Sequence, residues 1–400
     1  MNFLRNQLDK VKHSFEKGGK LEKYYYAYEA IDTFLYAPNT TNGAKGAQIR
    51  DAIDLKRLMM TVIVAMLPCL LFGIWNVGHQ HFLAIGQAGA TMGDKFLVGA
   101  IQVLPVVVVS YGVGLGIEFL FATLRRHPVN EGFLVTGMLI PLVMPPDIPL
   151  WQVAVATAFA VVIGKEAFGG TGMNVVNIAL TARAFLYFAY PTDISGSVWT
   201  YLGDSSAVAG YSGATPLSLA ADAATTGSNV ITSLSSFGAG WNEGVYSFSN
   251  LFLGLTPGCI GETSTLMCLI GAFILIATGA GSWKIIVSVF GGAYAMGLLL
   301  NLFGGNTYME MPAQYHLVIG GLAFGAVFMA TDPVTASHTE TGKWFYGMLI
   351  GMLTVLIRVF NPAYPEGIML AILLMNVFAP LIDYFVVSSN KKRRLQRATV

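Results

Sequence analysis

The feature that most limits how this chain can fold is a train of apolar stretches that starts at Leu58 and runs almost to the C-terminus. A helix that spans a bilayer needs about 20 mostly apolar residues, because the hydrocarbon core is roughly 30 Å thick and each helical residue rises about 1.5 Å. Ten stretches meet or approach that length: 58–78, 96–124, 132–147, 149–164, 175–190, 259–280, 284–303, 315–331, 344–361 and 367–387. They predict an all-α polytopic membrane protein of about ten transmembrane helices. Hydrophobic residues make up 54% of the chain and charged residues only 11%, against roughly a quarter charged in soluble domains. The third to fifth stretches are short and are interrupted by Pro145-Pro146 and by Gly169, Gly170 and Gly172. Broken helices survive at membrane depth only where protein or a cavity satisfies their backbone.

Lysine and arginine orient the spans, because cytoplasmic connections retain them. Ten precede the first span, from Arg5 to Arg57. The even-numbered connections carry Arg125, Arg126, Lys165, Lys284 and Lys343, and the C-terminus adds Lys391, Lys392, Arg393, Arg394 and Arg397. The odd-numbered connections carry Lys95 and Arg358. Both termini are thus expected in the cytoplasm. The long loop 191–258, which holds no lysine or arginine, is expected outside. Charged residues recur from the start and the first apolar run begins only at Leu58, so the N-terminus does not read as a signal peptide.

Five regions follow: a cytoplasmic segment 1–55, a transmembrane half 56–190, the outer loop 191–258, a second transmembrane half 259–388 and a basic tail 389–400. Leu4, Leu8, Val11 and Phe15 recur at helical spacing between lysines, as in an amphipathic helix against a membrane surface or a neighbouring protein of a complex. Residues 40–51 read as a linker. Glu131-Gly132 through Pro145 aligns faintly with Glu366-Gly367 through Pro380, one pair entering from inside and the other from outside. Opposed directions are the mark of an inverted repeat in a transporter-like fold with short, broken helices.

Little of the usual catalytic vocabulary is present. Cys69, Cys259 and Cys268 form no CxxC pair, which argues against a disulfide framework, a zinc site or a cluster held by this chain alone. The six histidines are scattered and suggest no haem pair, and no transition-metal site is expected. Trp75, Trp151, Trp283 and Trp344 fall at span ends, as an aromatic belt does. There is neither a GxGxxG strand–helix unit nor a P-loop, so no nucleotide site is expected on this chain. The formal net charge of +1 gives no reason to expect a nucleic-acid partner. In the outer loop, Tyr211-Ser212-Gly213-Ala214-Thr215-Pro216 reads as an exposed turn where a modifying enzyme could reach a hydroxyl, or as a plain Ser/Gly loop.

Several stretches together carry a family resemblance. They are Lys23-Tyr24-Tyr25 with Tyr28-Glu29-Ala30, Val129-Asn130-Glu131-Gly132-Phe133 and Lys165-Glu166-Ala167-Phe168-Gly169-Gly170-Thr171-Gly172. Further on come Ser212-Gly213-Ala214-Thr215, Gly261-Glu262-Thr263-Ser264-Thr265, Met329-Ala330-Thr331-Asp332-Pro333-Val334 and Asn361-Pro362-Ala363-Tyr364-Pro365-Glu366-Gly367. Along nearly its whole length the chain resembles the NqrB/RnfD family, which supplies the B subunit of the sodium-translocating NADH:quinone reductases. The related RnfD proteins of the Rnf complex usually lack a segment like 1–55. One departure is Ile178, where a proline would be expected after Asn177.

The resemblance implies a subunit of a bacterial inner-membrane translocase. It implies FMN joined through phosphate to Thr215 on the periplasmic side by an FMN transferase. It also implies non-covalent riboflavin, a contribution to a ubiquinone site, a sodium path, and NADH oxidation on another subunit of the complex. Alternatives are an Rnf-type protein serving ferredoxin and NAD, or a solute channel or transporter without redox chemistry.

Asn174 and Asn177, after a glycine turn, offer amides suited to an isoalloxazine edge, and Asp332 could serve a ribityl chain; helix capping accounts equally well for each. Acidic residues in or beside spans normally pair or line a polar path. They are Glu118, Glu131, Glu166, Glu262, Asp332, Glu366 and Asp383. Sodium, a hard cation, suits such oxygens. Glu131 and Asp383, then Glu29, are the expected residues of cation uptake, whereas Glu118 and Glu262 could instead cap helices or lie in the interface.

Overall fold

The computed structural model describes residues 2–16, 19, 21–36, 54–126, 129, 132–196, 198–203, 205–239, 241–242, 244–361 and 364–398. The proposed linker 40–51 and Glu131 lie outside the described residues. Two helices come first, α1 (Asn2–Phe15) and α2 (Tyr25–Leu35). They are tied by the Arg5–Asp32 ion pair at 2.9 Å and by Phe15 stacked on Tyr28, with the ring centres 5.3 Å apart. Glu29 sits half-buried on α2.

The first membrane half holds α3 (Leu55–Ala84), α4 (Met92–Arg125), α5 (Gly132–Leu142), α6 (Leu150–Gly164) and α7 (Ile178–Ala189). The long loop folds into α8 (Pro216–Thr226), α9 (Val230–Ser236) and α10 (Phe248–Leu253). The second half holds α11 (Thr265–Thr278), α12 (Trp283–Phe303), α13 (Tyr315–Val318), α14 (Leu322–Phe324), α15 (Glu340–Phe360) and α16 (Ile368–Ala398). Among the described residues there is no strand. Among the described residues, six helices are long and apolar enough to cross a membrane, while α5, α7 and α11 are shorter apolar helices. The broken α13–α14 completes ten membrane elements.

That eighth element corrects the expectation of one continuous helix over 315–331. It stops after Val318, turns through Gly320 at φ +68°, restarts at Leu322 and continues as a π-helical stretch, Gly325–Met329. A left-handed glycine ends the first piece because no side chain tolerates that backbone at low cost. The C-terminal basic run is also more regular than a tail, since α16 continues through it to Ala398.

Each half has five elements, and in each the third is the short or broken one, α5 in the first and α13–α14 in the second. The packing corresponds as well: α4 lies on α6 and α6 on α7, as α12 lies on α15 and α15 on α16. The start of α3, at Leu58 and Val62, lines the same cavity as the end of α11, at Leu275, so these two leading helices run in opposite directions. This is an inverted arrangement. It also corrects the repeat register, because Gly132 opens a third element whereas Gly367 precedes a fifth.

Small residues let the helices approach. A Cβ on Gly351 of α15 would overlap the Val289 carbonyl of α12, and one on Gly292 would overlap the Met348 carbonyl. In a membrane, where apolar tails compete equally for side chains, such close backbone packing supplies much of the association energy.

Candidate functional site

Two cavities lie at opposite ends of α7, α11 and the broken helix. The smaller is lined by Lys165, Thr171, Asn174, Asn177, Thr331 and Asp332 among others. The larger is lined by Thr215 together with Arg183, Tyr187, Glu262, Tyr364 and Glu366.

The smaller cavity brings together all three polar residues singled out for a non-covalent flavin. Asn177 caps α7, its side-chain oxygen accepting from the Leu180 N–H at 3.2 Å. The helix therefore starts cleanly at Ile178 without a proline. The Asn174 amide donates to the Val176 carbonyl at 3.2 Å. Asp332 ends the broken helix in a tight turn, accepting from the Val334 N–H at 3.1 Å and the Thr335 hydroxyl at 2.9 Å. Burial pushes its carboxyl above the ordinary range, and those two donors pull it part of the way back. The capping role and the cavity lining thus coincide for Asn177. The Thr171 hydroxyl oxygen is buried without a hydrogen-bond partner in the wall of this cavity, so the lining presents an unsatisfied polar atom to whatever fills it. Lys165 forms a buried ion pair with Glu118, and Arg125 holds Glu166 at 3.0 Å. Glu118 is therefore an ion-pair partner rather than a cap.

Thr215 is a half-buried residue rather than the tip of an exposed turn. It caps α8, its hydroxyl accepting from the Ser218 N–H at 3.2 Å, and Pro216 follows at the first helical position, where a missing N–H costs nothing. The Tyr246 hydroxyl donates to the Ala214 carbonyl and anchors the preceding turn. The helices α8 to α10 pack on the α12–α15 side through Leu217, Leu234, Tyr246 and Leu251.

Deeper in this cavity, Arg183 of α7 donates to Glu262 at 2.9 Å and also to Glu366, which further accepts from the Tyr364 hydroxyl at 3.3 Å and lies within hydrogen-bonding reach of Glu262. Glu366, in the segment before α16, has its carboxyl pushed up, chiefly by burial and against the pull of the Arg183 guanidinium. The fully buried Arg358 donates to the carbonyls of His316 at 2.7 Å, Ile319 at 2.9 Å and Glu366 at 3.0 Å. It thus satisfies the open end of α13 where the eighth element breaks.

Of the residues expected in cation uptake, Glu29 and Asp383 lie on separate elements, and no group of three or more metal-binding side chains occurs among the described residues. Glu29 lies on the N-terminal helix pair. Asp383 of α16 accepts from the Ser337 hydroxyl at 2.6 Å, the Thr339 hydroxyl at 2.5 Å and the N–H groups of His338 and Thr339 at 2.8 and 3.0 Å. Four donors at the start of α15 already compensate its charge, so it needs no basic partner in the tail.

Sequence reasoning passed over Arg183. The signal was available, since an arginine within the apolar stretch 175–190 marks a functional position by default. It was masked because the charge tally followed connections, not span interiors.

Residues 43–392 match the model of the NQR2, RnfD, RnfE family. The chain is 50% identical to the B subunit of the Na(+)-translocating NADH-quinone reductase of Ectopseudomonas mendocina (strain ymp), over 98% of this chain and 99% of that protein. The protein of the same description from Stutzerimonas stutzeri (strain A1501) is 50% identical over the same shares. That from Pseudomonas aeruginosa (strain LESB58) is 49% identical, again over 98% of this chain and 99% of the other. With the family model covering most of its length and half of its residues shared with such relatives, this membrane chain belongs to the NQR2, RnfD, RnfE family.

Proposed function

We propose that the chain is the B subunit of a sodium-translocating NADH-quinone reductase, a membrane complex that passes electrons to quinone and exports sodium. The observation that supports this most is identity of about 50% along the full length of relatives so named, together with Thr215 lining a large cavity. In this reading Thr215 carries FMN through a phosphoester, attached by an FMN transferase, and riboflavin is held in the smaller cavity. Both termini face the bacterial cytoplasm, the Thr215 loop faces the periplasm, NADH reacts on another subunit, and ubiquinone takes the electrons. When bound, the flavins supply one- and two-electron chemistry; this chain's part is to hold them, exclude water and set their surroundings. The lining fits: one cavity has aromatic walls with a charged floor, and the other has amides and an unpartnered hydroxyl. The mass of the peptide containing Thr215, taken from the intact complex, tests the covalent assignment, and an unmodified mass overturns it.

Asn174 offers the cleaner test of the second flavin, because Asn177 also caps α7. Asn174→Leu should lower the denaturant-extractable flavin while covalent flavin stays constant. Losing one or two hydrogen bonds costs about 1–3 kcal/mol, or roughly 5- to 150-fold in affinity. Full retention of extractable flavin in this variant, or none in the parent complex, counts against the assignment.

Cation uptake is assigned to Glu131 and Asp383, with Glu29 nearer the chain's start. Glu131→Ala and Asp383→Ala should raise the sodium concentration needed for half-maximal quinone reduction while covalent FMN remains. Asp383→Ala should also lower the melting temperature, because four donors lose their acceptor. A sodium half-saturation unchanged in both variants removes them from the path, whatever happens to the maximal rate.

A further inference from the structure

The Thr215 cavity ends on a charged group for which capping and packing give no account. Arg183 comes from the first membrane half, whereas Glu262 and Glu366 come from the second, 79 and 183 residues further on. Arg183 and Glu262 are buried and Glu366 is half-buried, yet all three line the same cavity as Thr215. Three ionisable groups withdrawn from water are a poor way to fasten two helices, since apolar residues of similar volume do that at least as well. Their position in the wall of the cavity that Thr215 also lines supplies a different reason. A guanidinium has five N–H donors in a planar fork, and the two contacts to carboxylates engage two different nitrogens, which fixes the plane of the group. Aromatic side chains, Tyr187 and Tyr364, meet edge to face beside it with ring centres 4.4 Å apart. A planar donor group with aromatic neighbours matches a planar heterocycle that has carbonyl oxygens along one edge and an apolar opposite edge.

We propose that Arg183, oriented by Glu262 and Glu366, is the positioning residue that holds the carbonyl-bearing edge of the flavin carried by Thr215. This rests on the reading of Thr215 given above. Placed at that edge, the guanidinium favours the electron-rich form of the ring, because a fixed positive charge stabilises the negative charge gained on reduction. Glu262 and Glu366 each take a different terminal nitrogen of the guanidinium, so the group meets the ligand in one orientation.

The test uses the intact complex. In the double variant Arg183→Met/Glu262→Gln one basic and one acidic side chain are lost together, and the formal charge of the cavity is unchanged. Covalent flavin should still be present on a denaturing gel, since attachment requires only Thr215. Its midpoint potential should move to more negative values, and iodide should quench its fluorescence more strongly than in the parent. Arg183→Lys keeps the charge but loses the planar fork. It should show the same two changes to a smaller degree, and it serves where the double variant fails to assemble. Covalent flavin with parental potential and parental quenching in either variant overturns the proposal and leaves the triad a fastening between halves. An unmodified Thr215 peptide from the parent complex would instead overturn the earlier reading at its root, and this one with it.

Discussion

Thr215→Ala is expected to abolish covalent flavin fluorescence on a denaturing gel while the chain still inserts and folds. The fluorescence loss should be complete, because alanine offers no hydroxyl for a phosphoester, and the neighbouring Ser218 hydroxyl is already turned to the carbonyl of residue 215 at 2.9 Å. The structural cost is separable and small. Thr215 caps α8, and removing a threonine cap costs about 1 kcal/mol, spread here over a short helix already fixed by Pro216 and by the packing of Leu217. Thr215→Ser keeps both the cap and an acceptor hydroxyl, so it should recover the lost stability. If Thr215→Ala retains the fluorescent band, the flavin is attached elsewhere and the motif is only a helix start.

Arg358→Met is the substitution expected to harm the fold most. It removes no more than one side chain, but that side chain serves three backbone carbonyls, at His316, Ile319 and Glu366, in a fully buried setting. A buried acceptor left without a donor costs about 1–3 kcal/mol, so three of them amount to roughly 3–9 kcal/mol before any relaxation. The membrane offers no water to repair the loss. The expected result is a large fall in the melting temperature of the purified complex in detergent, or failure to accumulate at all. Arg358→Lys should recover part of it, since an ammonium can serve one or two carbonyls but cannot span all three. Melting at the parental temperature in Arg358→Met would show that the break in the eighth element is satisfied some other way.

How far the sequence reveals these features depends on the kind of signal. Spans are written in local composition, so the apolar stretches correspond to α3–α7 and α11–α16 with shifted ends. The shifts have local causes: Asn177 and Ser264 accept from N–H groups of the first helical turn, and so decide where α7 and α11 begin. The break between Val318 and Leu322 is harder to see, because Leu317, Val318, Ile319, Leu322 and Phe324 read as an unbroken apolar run and only Gly320-Gly321 hints at the turn. What sustains that break is Arg358, 39 and 42 residues from the carbonyls it serves there, and no window of sequence contains both. The same holds for the site. Asn174, Asn177 and Asp332 could each be singled out from nearby glycines and prolines, but that they share one cavity depends on how α7 packs beside the end of the broken helix. Glu262 and Glu366 were visible as acids near spans; that one arginine bridges both is a tertiary fact.

The short helix α7 has a consequence for electron transfer across the bilayer. Asn177 at its start lines one cavity and Arg183, six residues on, lines the other. At about 1.5 Å of rise per residue, those two positions are separated by only about 9 Å along the helix axis. On the reading that a flavin fills each cavity, an electron passing from one to the other crosses only this stretch of α7, about a third of the roughly 30 Å hydrocarbon core, so the two ligands are close enough in depth to exchange electrons without a further carrier between them.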